Sequence, residues 1–185
     1  MSERLLGCYQ EPHRHYHTVE HLCECLGHWQ TVRDVAEQPG EVELALWFHD
    51  AVYARGRDDN ERQSARWAEQ VLRAAGAAAP VVERVFALVM ATRHAAVPDS
   101  PDAALLVDID LAILGADPER YARYEQQVRE EYAWVPAWLF RRKRRALLRA
   151  FLGRPSIYST THFRALLEAQ ARDNLRRALG ARAGS

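Results

Sequence analysis

Four of the chain's eight histidines fall within nine residues, HRHYHTVEH at positions 13–21, and their spacing separates them into kinds. In a helix beginning near Tyr16, His17 and His21 stand four residues apart on one face, the separation that brings two imidazoles toward a common centre. His13 and His15 precede that helix and point elsewhere. Such a pair suits a metal ion and also suits a half-buried polar face. The histidines are not contiguous, as a purification tag would require. In LALWFHDAVY, residues 44–53, His49-Asp50 interrupts a nearly all-apolar helix, where an ionised carboxylate is costly unless it is paired or bound to a cation. A bond to a nearby arginine would meet the same demand. LLVDIDLAILG, residues 105–115, repeats the problem with Asp108 and Asp110, which face different ways on a helix, so at most one of them looks into a shared site. His94, in TRH at 92–94, lies at a helix end, where a metal ligand, a phosphate contact and a C-terminal cap all fit.

Helices must position these residues, because apolar positions recur at three- and four-residue spacing and no stretch alternates over a strand's length. The pattern predicts an all-α fold with helices over 16–37, 41–54, 59–76, 80–94, 101–115, 118–133, 136–153 and 160–179. Pro39-Gly40 reads as the end of the first long helix. Asp58-Asp59-Asn60 reads as a loop and N-cap, Asp117-Pro118 as N-cap and first helical residue, and Gly153-Arg154-Pro155 as a stop. With 185 residues and no linker or repeat, a single domain spanning 1–185 is expected.

Lys+Arg and Asp+Glu are equal at 25 each, so no global field calls for nucleic acid or an anionic membrane. The block RRKRRALLR, 141–149, is the strongest basic feature and suggests a nucleic-acid contact, but beside the aromatics of EYAWVPAWLF and with zero net charge it reads rather as the wet face of an amphipathic helix, and the aromatics as core or as the contact of a homodimer. No apolar run reaches the length of a membrane span and MSERLLGCYQ has no signal-peptide pattern, so a cytoplasmic protein is expected. Cys8, Cys23 and Cys25 read as reduced thiols, and the CxC pair as a poor joint ligand set, its side chains diverging on a helix.

Taken together, His21, His49-Asp50 and Asp110 resemble the H…HD…D signature of the HD superfamily of metal-dependent phosphohydrolases. YxEPHRHYHTxxH, FHDAVY, NExxSA and DIDLAILG resemble a small bacterial subfamily of about this length, a likeness running over most of the chain. The resemblance implies an HD-type helical bundle in which His21, His49, Asp50 and Asp110 hold a divalent cation. Tyr16-His17-Thr18-Val19-Glu20-His21 is similar to a segment of cyclic-nucleotide phosphodiesterases whose second histidine binds metal and whose first protonates the leaving oxygen, which implies the general-acid role for His17. Thr18 and Ala54 depart from that pattern, where the relatives carry Asn and a further His. The phase of Ile109-Asp110-Leu111 is similar to the family's Ala-Asp-x-Leu and selects Asp110 over Asp108.

The reaction so implied is hydrolysis of a phosphomonoester or phosphodiester, with nucleotides among the candidate substrates. The cation, one of Mn, Fe, Co, Ni, Zn or Mg, would lower the pKa of a bound water and polarise phosphorus. Asp50 would bind metal and orient the water, Glu61 would orient water or a histidine, and Arg14, Arg93 and His94 would contact phosphate. Glu61 reads rather as a first-turn acid favourable to its helix, and Arg14 and Arg93 by default as solvated surface residues. Two rival readings are an HD-type diiron oxygenase, for which His94 supplies one extra histidine, and a non-catalytic module with a structural metal.

Overall fold

The computed structural model describes residues 2–94 and 96–180, and all regular structure among them is helical. The chain divides into two compact units, Met1–Asp110 and Leu111–Ser185.

The first unit contains α1 (Ser2–Cys8), α2 (Val19–Val32) with a 3-10 turn at Arg33–Val35, α3 (Pro39–Phe48), α4 (Asn60–Ala74), α5 (Ala79–Ala91) and α6 (Pro101–Asp110). Its core joins Leu22, Cys25 and Trp29 of α2 to Val42, Ala45 and Leu46 of α3, with Ala65 and Ala68 from α4, Val85 and Val89 from α5, and Leu106 and Ile109 from α6. Small alanines on α4 let α5 pack closely against it, while α5 also meets α3 and α6, and α2 meets α3 and α6.

Several boundaries differ from the sequence pattern for identifiable reasons. Thr18 is the N-cap of α2, its hydroxyl accepting the Glu20 N–H at 3.3 Å, so His17 precedes the helix instead of lying in its first turn. Pro39 opens α3 instead of closing α2, because a first-turn proline needs no N–H partner. The N–H groups of Glu37 and Gln38, just before it, are taken by the Asp102 carboxylate of α6 at 2.8 and 2.9 Å. α3 stops at Phe48 where a helix through 54 was expected, and His49-Asp50 forms its end. The long 101–115 segment tightens to 3-10 geometry after Asp110. The helix α1 was not anticipated.

The second unit contains that 3-10 segment, Leu111–Gly115, followed by α7 (Pro118–Glu131), α8 (Ala137–Leu152) and α9 (Thr161–Ala178). Asp117 caps α7 by accepting the Glu119 and Arg120 N–H groups, as its position before Pro118 implies. Gly115 is required by close approach: a Cβ there would lie 2.6 Å from the Leu167 Cβ and 2.9 Å from its carbonyl oxygen. Asn174 of α9 donates to the carbonyls of Leu114 and Ala116 at 2.9 and 2.8 Å, closing the 3-10 segment's end. Among the described residues no helix is long and apolar enough to cross a membrane.

Candidate metal centre

Three helices of the first unit deliver four polar side chains to one point. His21 comes from the first turn of α2, His49 and Asp50 from the end of α3, and Asp110 from the last residue of α6. His21 and His49 are buried, and the two carboxylates keep a limited opening to solvent. The Nε2 atoms of His21 and His49 are 3.2 Å apart. Asp50 Oδ2 lies 3.1 Å from His49 Nε2 and 3.5 Å from His21 Nε2, while Asp110 Oδ1 lies 3.2 Å from His21 Nε2 and 3.7 Å from His49 Nε2. Nitrogen and oxygen ligands bonded at about 2.1 Å to one ion stand about 3.0–3.4 Å apart for octahedral to tetrahedral angles. Three of the five donor separations, 3.1 to 3.2 Å, fall in that range, and the two from each carboxylate to its farther histidine, 3.5 and 3.7 Å, lie beyond it.

A group of His21, Cys25, His49 and Asp110, whose donor atoms lie within 4.8 Å of one another, could hold a metal ion. Cys25 was not expected there, although its place four residues after His21 on α2 is a legible signal. Its Sγ is 3.7 Å from both nitrogens of the His21 ring. An atom equidistant from Nδ1 and Nε2 lies over the ring face or beside the carbon between them, away from either in-plane lone pair. A cation about 2.1 Å along the Nε2 lone pair would stand at least about 4 Å from that sulfur, too far for the roughly 2.3 Å of a metal–thiolate bond.

The surroundings fix the donors. His49 Nδ1 donates to the Leu46 carbonyl at 2.7 Å, which leaves Nε2 for the centre. His94 adopts a left-handed backbone, φ 52°, at the end of α5, and its Nε2 meets Asp110 Oδ2 at 3.0 Å, the oxygen opposite the one facing His21. Its side chain thus holds a carboxylate rather than capping the carbonyls of α5. His17 borders the group, its ring 6.0 Å from that of His21 and stacked on Tyr53 at 4.3 Å. Asp108 is fully buried and lies outside the group, whereas Asp110 lies in it.

Arg14 lies elsewhere than expected of a phosphate contact. Its buried guanidinium donates to the carbonyls of Asp50 (2.6 Å), Ala51 (3.2 Å) and His17 (3.2 Å) and to the Glu11 carboxylate at 2.9 Å. It is therefore a clamp that joins the segment before α2 to the end of α3, and its donors face protein acceptors. Glu61 is not brought to the centre by any hydrogen bond or ion pair among the described residues. It occupies the first turn of α4, and its neighbours carry the local structure. Asn60 exchanges two bonds with the Ala54 backbone, at 3.0 and 3.1 Å, and Ser64 accepts the Val52 N–H at 3.0 Å. His13 joins the same restraint through the Tyr53 carbonyl at 2.7 Å. Arg93 is exposed. The three cysteines are free thiols, with Cys23 exposed and Cys25 buried.

Without a metal the four groups balance as ions. Burial opposes charge on His21, but Cys25, Tyr16 and the carboxylates of Asp110 and Asp50 outweigh it and hold its pKa well above the histidine range. Burial opposes charge on His49 too, yet Asp50, then Asp110, raise it to about 10. Desolvation pushes the Asp50 carboxyl upward and is overcome by His49, His17 and His21, which hold it well below the carboxylate range. Asp110 is held low against burial by its bonds to His21 and His94. Two imidazolium and two carboxylate charges sum to zero, as do one divalent cation, two neutral imidazoles and two carboxylates. Exchange of two protons for one cation therefore leaves the buried charge unchanged.

No family model, curated protein or solved structure matches the chain.

Proposed function

We propose that the protein is a metal-dependent phosphohydrolase acting on a small phosphorylated substrate, a phosphomonoester or phosphodiester with nucleotides included. The observation that carries this reading is the donor quartet, two Nε2 atoms 3.2 Å apart, each with a carboxylate oxygen 3.1 to 3.2 Å away. His21, His49, Asp50 and Asp110 are its ligands, with Cys25 outside the set because its sulfur lies off the His21 lone pairs. A bound divalent cation supplies Lewis acidity toward a phosphoryl oxygen and toward water, and the mixed nitrogen and oxygen set accepts Mn, Fe, Co, Ni, Zn or Mg.

The remaining steps belong to side chains. Asp50 and Asp110 are the ligands with solvent access, so water and phosphate approach from their side. His94 orients Asp110 through the outer carboxylate oxygen. His17, half-buried at the rim and positioned by its Tyr53 stack, donates a proton to the leaving alkoxide. Arg14 positions His17 and Asp50 through their carbonyls. The segment 51–55 after Asp50 also lines a cleft of about 880 Å³ with Arg4, Arg57, Arg66 and Trp67, whose lining includes neither His17 nor any of the four donors.

The test is a phosphomonoester and phosphodiester panel assayed with each divalent cation after chelation. Phosphate release restored by one cation, and lost in His17→Ala while metal content stays near wild type, is the expected result. Two irons per chain with oxygen uptake and no phosphate release would replace this reading with the diiron oxygenase. Metal retention with no turnover on any substrate would replace it with the binding module.

A further inference from the structure

Over the whole chain the charges cancel, but they are not mixed along it. Residues 111–185 hold 15 Arg and Lys against 7 Asp and Glu, and residues 1–110 hold 10 against 18. A formal +8 in one unit and −8 in the other is an asymmetry of the kind associated with a polyanionic partner, and the zero total conceals it.

The excess concentrates on α8. Arg144 turns inward to Glu125, at 3.1 Å from Nε. Arg141, Arg142, Lys143, Arg145 and Arg149 are exposed and form no side-chain hydrogen bond or ion pair with another described residue. Helical spacing sorts these cations further. Trp138, Arg142, Arg145 and Arg149 follow i, i+4, i+7 and i+11 and lie within about 60° of arc. The buried Leu148 and Phe151 occupy another side. A straight row of cations fits a row of phosphates better than one phosphate group.

The row also contains an aromatic ring in water. Trp138 is 63% exposed and has no ring contact among the described residues, and Trp134, just before the helix, is 56% exposed. Tyr132 stacks on Trp134 with centroids 6.4 Å apart, giving that second indole a rigid backing. A helix lying on a membrane separates its arginines from an exposed apolar face. Here Leu148 and Phe151 of the apolar face are buried within the unit, Leu147 is exposed, and Trp138 lies among the arginines and away from that face. Indole faces beside a cation row match the stacking and phosphate contacts made to unpaired bases.

We infer that α8, with Trp134 and Trp138, is a binding surface for single-stranded nucleic acid. Arg142, Arg145 and Arg149 track phosphates, and the indoles stack on bases. Neither contact reads the 2′-hydroxyl, so RNA and DNA strands bind alike.

The experiment is fluorescence anisotropy of the full chain with a labelled 12-nucleotide RNA of mixed sequence, its DNA counterpart, and the corresponding duplex. Three or four phosphate contacts should weaken binding about 20- to 50-fold between 50 and 200 mM salt. Arg142→Glu/Arg145→Glu/Arg149→Glu should lose at least about tenfold and flatten the salt dependence. Trp138→Ala should lose about 5- to 100-fold with the salt dependence kept. All four side chains are exposed, and circular dichroism confirms that the variants fold. Absence of strand binding, a duplex bound as tightly as the strand, or variants that bind like wild type would each overturn the proposal. So would binding only to phosphatidylglycerol vesicles, or a strand-independent dimer abolished by Trp138→Ala, which would make the occupant a membrane or a second copy.

Discussion

In residues 1–110, two histidines and two aspartates meet below the surface at the ends of three helices, whereas in residues 111–185 one helix displays five exposed cations with no ion pair among the described residues. The same residue type does opposite things in the two units. Arg14 is buried with its donors on three carbonyls and a carboxylate, and Arg142 extends into water with none of these partners. Buried charge must be restrained from several directions: Arg14 holds the Asp50 carbonyl, His94 holds Asp110, and Asn60 and Ser64 hold the backbone that follows Asp50. Exposed charge needs only a helix to space it. The first kind builds a centre and the second a surface.

This contrast can be broken at graded cost. The largest effect belongs to a donor: Asp110→Ala should lower metal content from about one per chain toward none, and reduce phosphate release roughly a thousandfold, measured by elemental analysis and turnover. Next is Arg14→Met, which leaves buried carbonyls without their donor and should cost about 3–5 kcal/mol in denaturant unfolding. His94→Asn keeps a residue tolerant of the left-handed backbone and removes the bond to Asp110, so metal affinity should fall about 10- to 100-fold by titration.

A smaller effect follows pH. The histidine pKa values are raised by folding, so their contribution to metal-free stability is complete below about pH 6.5 and is lost as pH rises toward the value of about 10 at His49. The aspartate values are lowered, so that contribution is complete above about pH 4 and lost below it. Metal binding displaces the same protons and strengthens as pH rises. The melting temperature of the loaded protein should therefore pull ahead of the metal-free one between pH 6.5 and 9, by at least a few degrees, about 1 kcal/mol. Smallest of all, Arg142→Met should change stability by no more than about 0.5 kcal/mol, and a large loss would erase the distinction from Arg14.

The residues with the strongest electrostatic demand were the most legible. His49-Asp50 and Asp110 stand in apolar stretches where an unpaired charge is untenable, and the structure brings them to His21. Periodicity located eight helices, but their ends depended on partners distant in the chain. Asp102 prepares the start of α3 from 64 and 65 residues away, and Arg14 holds the carbonyl of Asp50 from 36 away. For that reason Arg14 read as a phosphate contact and Pro39 as a stop. Glu61 drew attention that belonged to Asn60 and Ser64, whose short polar side chains bind the loop backbone. Cys25 was dismissed with its neighbour Cys23, although only its spacing from His21 bears on the centre. Net charge, summed over 185 residues, concealed the separation of sign between the units.

The most direct test of the donor quartet is anomalous scattering from crystals loaded with Mn or Zn, recorded at the metal edge. The quartet requires one peak about 2.0–2.3 Å from Nε2 of His21, Nε2 of His49, and a carboxylate oxygen each of Asp50 and Asp110, with Cys25 Sγ near 4 Å or beyond. A peak bonded to Cys25, with Asp50 turned away, would contradict it.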